Sequence, residues 1–369
     1  MNRQMPSQTT PMVDSTAADS SAPVRVVCQC GRAVELAGTS FVCSCGTKLG
    51  YIADGLAVLP PPAPYWGEIS QDEMRELLAV SLRDGWRQAM HALPPMQHNI
   101  MDPERAAFQD VLPIPDNSFL LDVGAGLGNL SVQLSKNHRV VALEGVPERA
   151  QFIALRKRQD SLHNLQVVNA DLNAVCFAPS QFDVIVVNGV LEWVGLFDRS
   201  MDPEDIQRRF LQRLRNALRP GGFIYIGIEN RIGLDMLRGG RDHSGVPYTS
   251  LLPRRLADYV CQHGVGFRSP FNTGYRTYTY SYYGYKRLFR HCGLEITSAW
   301  VAPYGYNRPI TLVPMNKAAI DLYVAWNWQC PPISFRAAVK NHLKMLLGSP
   351  LMWKLFGSDF AFLLRSRDV

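Results

Sequence analysis

Residues 118–135, SFLLDVGAGLGNLSVQLS, set the tightest limit on what this chain can fold into. Phe119 to Val123 form an apolar run of the buried-strand type. Gly124, Gly126 and Gly128 supply a turn, and Leu127, Leu130 and Leu134 follow at helical spacing. Glycine lets a backbone turn sharply and lets a ligand approach its peptide groups closely. The helix after the turn offers unpaired N–H donors. The spacing is G-x-G-x-G, and Asn129 stands where a dinucleotide fingerprint has its third glycine. Asp122 at the strand end also disfavours a bound pyrophosphate, which prefers an uncluttered positive helix end.

The pattern then repeats. HRVVALEGV (138–146) ends near Glu144, 22 residues past Asp122, where doubly wound sheets place an acidic residue on a ribose. NLQVVNADL (164–172) ends in Asp171, and QFDVIVVNGVLEWV (181–194) is an apolar run leading to Asn188. Asp202 and Pro203 open a helix with Ile206, Phe210, Leu214 and Leu218 inward, which Arg219, Pro220, Gly221 and Gly222 end. FIYIGIEN (223–230) is another apolar strand. Alternating strands and helices predict an α/β fold with a doubly wound, mostly parallel sheet covered on both faces. With 47% hydrophobic and 19% charged residues the chain is neither disordered nor fibrous. A net charge of +6 over 369 residues is too mild to mark a nucleic-acid binder, and no apolar run is long enough for a membrane span.

LLDVGAGLGNLS, VVALEGV, NADL, FDVIVVNGVLEWV and LRPGGFIYIGIEN, in this order over 118–230, resemble a class I S-adenosylmethionine-dependent methyltransferase. The resemblance implies a seven-stranded Rossmann-like sheet. It implies a cofactor site at Asp122, Gly124, Ala125, Gly126, Gly128, Glu144, Gly145, Asp171, Leu172 and Asn188. The glycines would pass under the methionine part, Glu144 would hold the ribose, Asp171 and Leu172 would meet the adenine, and Asn188 would sit beneath the sulfonium. YWGEIS (65–70), GRDHSGVPYTSLLPRRLADYV (240–260) and YRTYTYSYYGYKRLFRHCGLEI (275–296) look like a bacterial subgroup associated with surface polysaccharide or related glycan pathways. The last strands are expected at LEITSAWVA (294–302) and FAFLLRS (360–366), which makes 303–358 a helical insertion before the last strand.

Ahead of this domain (113–369) lie three regions. Residues 1–23 are Ser-, Thr- and Pro-rich and lack the apolar core of a signal peptide, so they read as a disordered tail of a cytoplasmic protein. Residues 24–60 hold Cys28, Cys30, Cys43 and Cys45, and resemble the small zinc ribbons fused to, or partnering, methyltransferases. Four cysteines on two glycine-closed turns suit a structural Zn2+. Each pair here is separated by one residue where the family pattern has two; a metal-free relic or an oxidisable pair is the other reading. PPPAP (60–64) is a stiff break. Residues 65–112 read as a helical extension. Its helix, 71–92, starts with a Ser70/Glu73 capping box and places Met74, Leu78, Leu82, Trp86 and Met90 on one face.

Methyl transfer to a hydroxyl is helped by a base. His243, in the loop past the strand carrying Glu229, is the candidate base, with Asp242 or Glu229 to orient it. A hydrogen-bonded Asp-His-Ser-Gly turn is the competing reading. Tyr278, Tyr280 and Tyr282 share one face of an extended segment, either stacking on sugars or packing in a half-buried face. Arg238, Arg241, Arg254 and Arg255 would favour an anionic acceptor, such as a phosphorylated or nucleotide-linked sugar, or are solvated surface. The basic stretch 335–355 reads as a helix packed on the core or touching a membrane surface. The expected activity is O-methylation of a sugar or glycan intermediate. RNA or protein methylation with the ribbon as recognition module, or a non-catalytic cofactor-binding scaffold, are the alternatives. The sequence leaves the oligomeric state open.

Overall fold

The structure is a computed structural model that describes residues 24–67, 69–91, 93, 101–264, 274–329, 336, 339 and 349–367. The tail 1–23 and much of 330–348 lie outside the described residues. Strands β1 (Val34–Ala37), β2 (Ser40–Cys43), β3 (Lys48–Ala53) and β4 (Leu56–Leu59) open the chain as an antiparallel meander. Asp54 and Gly55 close β3 on β4 with both residues at positive φ, the conformation that a two-residue hairpin needs. Helices α1 (Gln71–Asp84) and α2 (Trp86–His91) and a 3₁₀ segment (Pro103–Val111) lead into the domain. Then come β5 (Phe119–Val123), α3 (Asn129–Leu134), β6 (Arg139–Glu144), α4 (Pro147–Gln159), β7 (Leu165–Ala170) and β8 (Phe182–Asn188). α5 (Pro203–Ala217), β9 (Leu218–Glu229), α6 (Leu234–Leu237), α7 (Arg254–His263) and α8 (Tyr282–His291) follow. The chain closes with β10 (Leu294–Ala302), β11 (Val313–Pro314), α9 (Lys317–Gln329), α10 (Pro350–Phe356) and β12 (Asp359–Ser366).

One mixed sheet of twelve strands runs β1-β2-β3-β4-β7-β6-β5-β8-β9-β12-β10-β11. Its centre, β7-β6-β5-β8-β9, is parallel, and β12 enters antiparallel between β9 and β10. The seven strands β7-β6-β5-β8-β9-β12-β10 are those the sequence predicts. The expectation of a seven-stranded sheet is nevertheless corrected, because the cysteine meander is not set apart. β4 pairs in parallel with β7, Leu56 opposite Val167 through Leu59 opposite Ala170. An exposed strand edge is a row of unpaired backbone groups, and β4 covers the one on β7. Residues 24–27 tie down further. Val27 N–H donates to the Cys176 carbonyl at 2.8 Å, and Arg25 N–H to Gln181 Oε1 at 2.7 Å. At the opposite edge, β11 adds two residues to β10.

The extension departs from the expected single helix. Ser70 Oγ accepts from Glu73 N–H and Glu73 Oε2 accepts from Ser70 N–H at 2.7 Å, so the capping box forms as read. Gly85, at φ 93, ends α1 before Trp86. The buried face is Met74, Leu77 and Ser81, while Leu82 is 66% exposed. Steps of four residues overshoot a 3.6-residue turn by about 40° each, so a strict four-residue row winds off the core. Ser70→Ala is expected to cost about 1 kcal/mol of stability in chemical denaturation, with unchanged ligand binding.

α5 buries Ile206, Phe210 and Leu214, as read, and Leu211 besides, but Leu218 begins β9 rather than ending the helix. The tyrosine row is core. Tyr278, Tyr280 and Tyr282 are each at most 8% exposed. The Arg254 guanidinium lies 3.9 Å from the Tyr278 ring centre and 5.2 Å from that of Tyr280. That arrangement leaves neither the tyrosines nor Arg254 facing a sugar. In the insertion, α9 carries exposed Leu322 and Trp326. Within 335–355, α10 buries Trp353 against the core; the rest of that stretch falls largely outside the described residues. No helix among the described residues is long and apolar enough to cross a membrane.

Candidate active site and cysteine cluster

A cavity of about 830 Å³ opens at the C-terminal ends of β5, β6, β7 and β8, the place where open α/β sheets bind ligands. The glycine turn forms one wall. Gly124 and Ala125 N–H both donate to the Leu143 carbonyl, at 2.8 and 3.0 Å, which locks the turn onto β6. Gly126 N–H donates to Glu144 Oε2 at 2.7 Å, and Val146 N–H to Glu144 Oε1 at 2.9 Å. Gly126 stands at φ +62, and a Cβ there would meet Arg149 Nη2 at 2.6 Å. That position therefore needs glycine for both conformation and space.

Eight of the ten residues expected to hold the cofactor line this cavity: Gly124, Ala125, Gly126, Glu144, Gly145, Asp171, Leu172 and Asn188. Asp122 and Gly128 do not. Asp122 is buried beneath the turn and accepts from Ser131 Oγ at 2.5 Å. Burial outweighs that bond and pushes its carboxyl up to about 7. Gly128 packs on Ile153 and starts α3. Both shape the turn from behind. Asp171 Oδ1 accepts from Asn173 N–H at 2.8 Å and closes the loop after β7.

Asn188 is 9% exposed, and both polar atoms of its carboxamide lack a partner among the described residues. Buried amides without hydrogen bonds are costly and rare. Here the amide borders a cavity, where a bound polar ligand would satisfy it.

Beyond Asn188 the wall becomes aromatic and charged. The Trp66 and Trp193 rings lie 4.2 Å apart, and Trp193 and His243 lie 4.3 Å apart. His243 Nε2 is 2.8 Å from Glu229 Oε1 and 3.4 Å from Glu192 Oε1. Tyr306 O–H donates to Glu229 Oε1 at 2.8 Å. Burial acts against an imidazolium at this place, but Glu229 and Glu192 overcome it and push His243 up to about 11. Burial raises Glu192, with the Glu229 charge adding to it.

Two carboxylates converge on one ring nitrogen of His243, the residue expected as the base, and their pull raises it above the neutral range. Of the two residues expected to orient it, Glu229 is in contact with His243 at 2.8 Å. Asp242 is not. Its oxygens accept from Ser244 N–H, Thr249 Oγ1 and Tyr275 O–H at 2.9 to 3.0 Å, so it builds the turn that presents His243. Arg238, Arg241, Arg254 and Arg255 do not line the cavity; its two arginines are Arg105 and Arg149.

Sequence reasoning missed Glu192, Trp193, Trp66 and Tyr306. Glu192 had a signal, since a carboxylate inside the apolar run VIVVNGVLEWV must find a partner when buried. Tyr306 had none: it meets Glu229 across 77 positions of sequence.

The four cysteines near the N-terminus converge, with their sulfurs within 4.8 Å of one another. Cys28 Sγ lies 3.8 Å from Cys45 Sγ, and Cys30 Sγ lies 3.6 Å from Cys43 Sγ. Tetrahedral zinc with bonds of about 2.3 Å requires sulfur separations of about 3.8 Å. Gly31 N–H donates to the Cys28 carbonyl and Gly46 N–H to the Cys43 carbonyl, both at 2.8 Å, with both glycines at positive φ. The two one-residue spacings thus close as equivalent turns, and the donor set fits the metal.

A family profile described as a methyltransferase domain matches residues 121–226. That span runs from β5 into β9 and holds the glycine turn, Glu144, Asp171, Asn188 and Glu192. A release factor glutamine methyltransferase of Bacteroides thetaiotaomicron is 29% identical over 158 residues, 37% of this chain and 57% of that relative. The chain thus spans little more than half the length of the curated relative. Among solved structures, a SAM-dependent methyltransferase from Aquifex aeolicus aligns at TM-score 0.38 and 16% identity, covering 56% of this chain and 87% of that one. One from Methanosarcina mazei aligns at TM-score 0.42 and 16% identity, covering 74% and 98%. The span matched by the methyltransferase-domain profile lies at the centre of the sheet. His243 and Tyr306, which complete the cavity, come from outside the matched span.

Proposed function

We propose that the chain transfers the methyl group of S-adenosylmethionine to an oxygen of a sugar or glycan intermediate. The observation that carries this reading is the cavity itself. Its glycine turn, Glu144, and Asp171 with Leu172 sit at one end, and the unpartnered Asn188 amide stands between them and His243. Gly124 and Gly126 would lie under the methionine part, and Asp171 and Leu172 beside the adenine. Each Glu144 oxygen accepts one backbone N–H and keeps a lone pair for a ribose hydroxyl. The cofactor supplies the reactive methyl group. The chain supplies alignment for in-line displacement and a wall of Trp66, Trp193 and His243 that keeps water from the reacting atoms. The four cysteines hold zinc as a structural ion, since four sulfurs leave it no open position.

The test is mass spectrometry after incubation with S-adenosylmethionine and three acceptor classes: nucleotide-linked sugars and lipid-linked glycans, peptides, and tRNA. A gain of one methyl group on a sugar is expected. Methylation confined to peptides, the class on which the Bacteroides relative acts, would replace this reading with protein methylation.

A further inference from the structure

We propose that His243 is a binding group for an anionic oxygen, a phosphate or a carboxylate, on the methyl acceptor, which it meets through Nδ1–H at the cavity wall. This rests on the methyl-transfer reading for the identity of the cavity, and it names the class of acceptor.

The ring is enclosed by acceptors on one side only. Glu229, held ionised by His243 and Tyr306 against its burial, donates nothing, so Nε2, 2.8 Å from its carboxylate, carries a hydrogen; Glu192 Oε1 lies 3.4 Å from the same nitrogen. Every neighbouring element contributes to that balance. Glu192 comes from the segment after β8 and Glu229 from the end of β9. Tyr306, from the insertion, donates to Glu229 and stays un-ionised, held well above its ordinary range by burial. Asp359 on β12 lies opposite Glu229 and is also raised by burial, so it adds little charge. Asp242, on His243's own loop, is turned into Ser244, Thr249 and Tyr275. Trp193 covers one ring face. Nδ1 has no protein partner among the described residues, and the side chain is 24% exposed on the cavity.

The consequence follows from the proton count. Glu229 and Glu192 outweigh burial and hold the ring's midpoint above neutral, so the ring keeps its second proton at pH 7. It is then a poor base and a permanent cationic donor. A cationic N–H bonds an anionic oxygen more strongly than a neutral one. At this partly buried site that favours an acid-bearing sugar over a neutral sugar by about tenfold. Glu192, fully buried with Oε1 3.4 Å from Nε2, is a positioning residue that with Glu229 favours the charged ring.

Two measurements test this. The first titrates the full chain, saturated with S-adenosylhomocysteine, with glucose 1-phosphate, glucuronate and glucose by calorimetry, then repeats it with His243→Gln. At least one of the two anionic sugars is expected to bind tenfold more tightly than glucose, with the preference gone in the variant. The phosphate and carboxylate arms decide which acid group fits. Equal affinity for all three, no binding by either anion, or a preference that survives His243→Gln overturns the proposal. The second follows the His243 ring by ¹⁵N NMR against pH. It should stay doubly protonated up to pH 9 in the wild type, and its midpoint should fall by a unit or more in Glu192→Gln. A wild-type midpoint near 6.5 overturns the proposal as well. Failure to bind S-adenosylhomocysteine at all would instead defeat the methyl-transfer reading, so the two are told apart in one experiment.

Discussion

Gly126→Arg is expected to weaken S-adenosylhomocysteine binding by at least about 100-fold in calorimetry, a loss of roughly 2.7 kcal/mol. Three effects add at this position. The backbone sits at φ +62, which costs a side-chain-bearing residue on the order of 1–2 kcal/mol. The first side-chain carbon would lie 2.6 Å from Arg149 Nη2. Arg149 has little room to retreat: it is 8% exposed, and its Nη1 donates to the Trp66 carbonyl at 2.9 Å. The new guanidinium must therefore occupy the cavity where the cofactor's methionine part is proposed to lie. Gly126→Ala meets the same strain with far less bulk, so an intermediate loss near tenfold is expected. A thermal melt close to the wild type for both variants would place the loss in the site rather than the fold. Unchanged affinity in Gly126→Arg would remove the glycine turn from the binding site.

The second large effect is expected at the cysteine cluster. Wild-type protein should contain one zinc per chain by atomic spectroscopy, and Cys43→Ser should contain none. The melting temperature should fall by roughly 10 °C, which corresponds to several kcal/mol at about 2 °C per kcal/mol. The size follows from the pairing of β4 with β7. Metal binding supplies folding energy to a meander too small for a core of its own. Once the meander loosens, the edge of β7 is exposed along Val167–Ala170, which Leu56 to Leu59 otherwise cover. Aggregation on heating should accompany the loss, because an uncovered apolar edge pairs with other chains. Zinc-free wild-type protein of full stability would show that the four sulfurs converge without a metal.

How far the sequence carried depends on how local each feature is. The central strands were legible because apolar runs and glycine turns are written within ten residues. Phe119–Val123, Arg139–Glu144 and Phe182–Asn188 each announce themselves. Most of the residues expected at the cofactor were found lining the cavity because they sit at strand ends set by such runs. The helix 71–92 misled at one residue: Gly85 breaks it, and the four-residue row of Met74, Leu78 and Leu82 drifts off the buried face. The sheet's true width was hidden, because nothing in Leu56–Leu59 says which edge it will meet. The part of the cavity beyond Asn188 was the least legible. Glu192, Glu229, His243 and Tyr306 come from four separate segments, and the charge of His243 is decided by their convergence, not by its own sequence neighbours.

The central claim is that this cavity holds S-adenosylmethionine. Isothermal titration of the folded wild-type chain with S-adenosylhomocysteine tests it most directly. The account predicts saturable binding with one site per chain, lost in Gly126→Arg. A folded, zinc-loaded chain that gives no binding heat at any temperature tried, and no shift in melting temperature with the ligand, would contradict it.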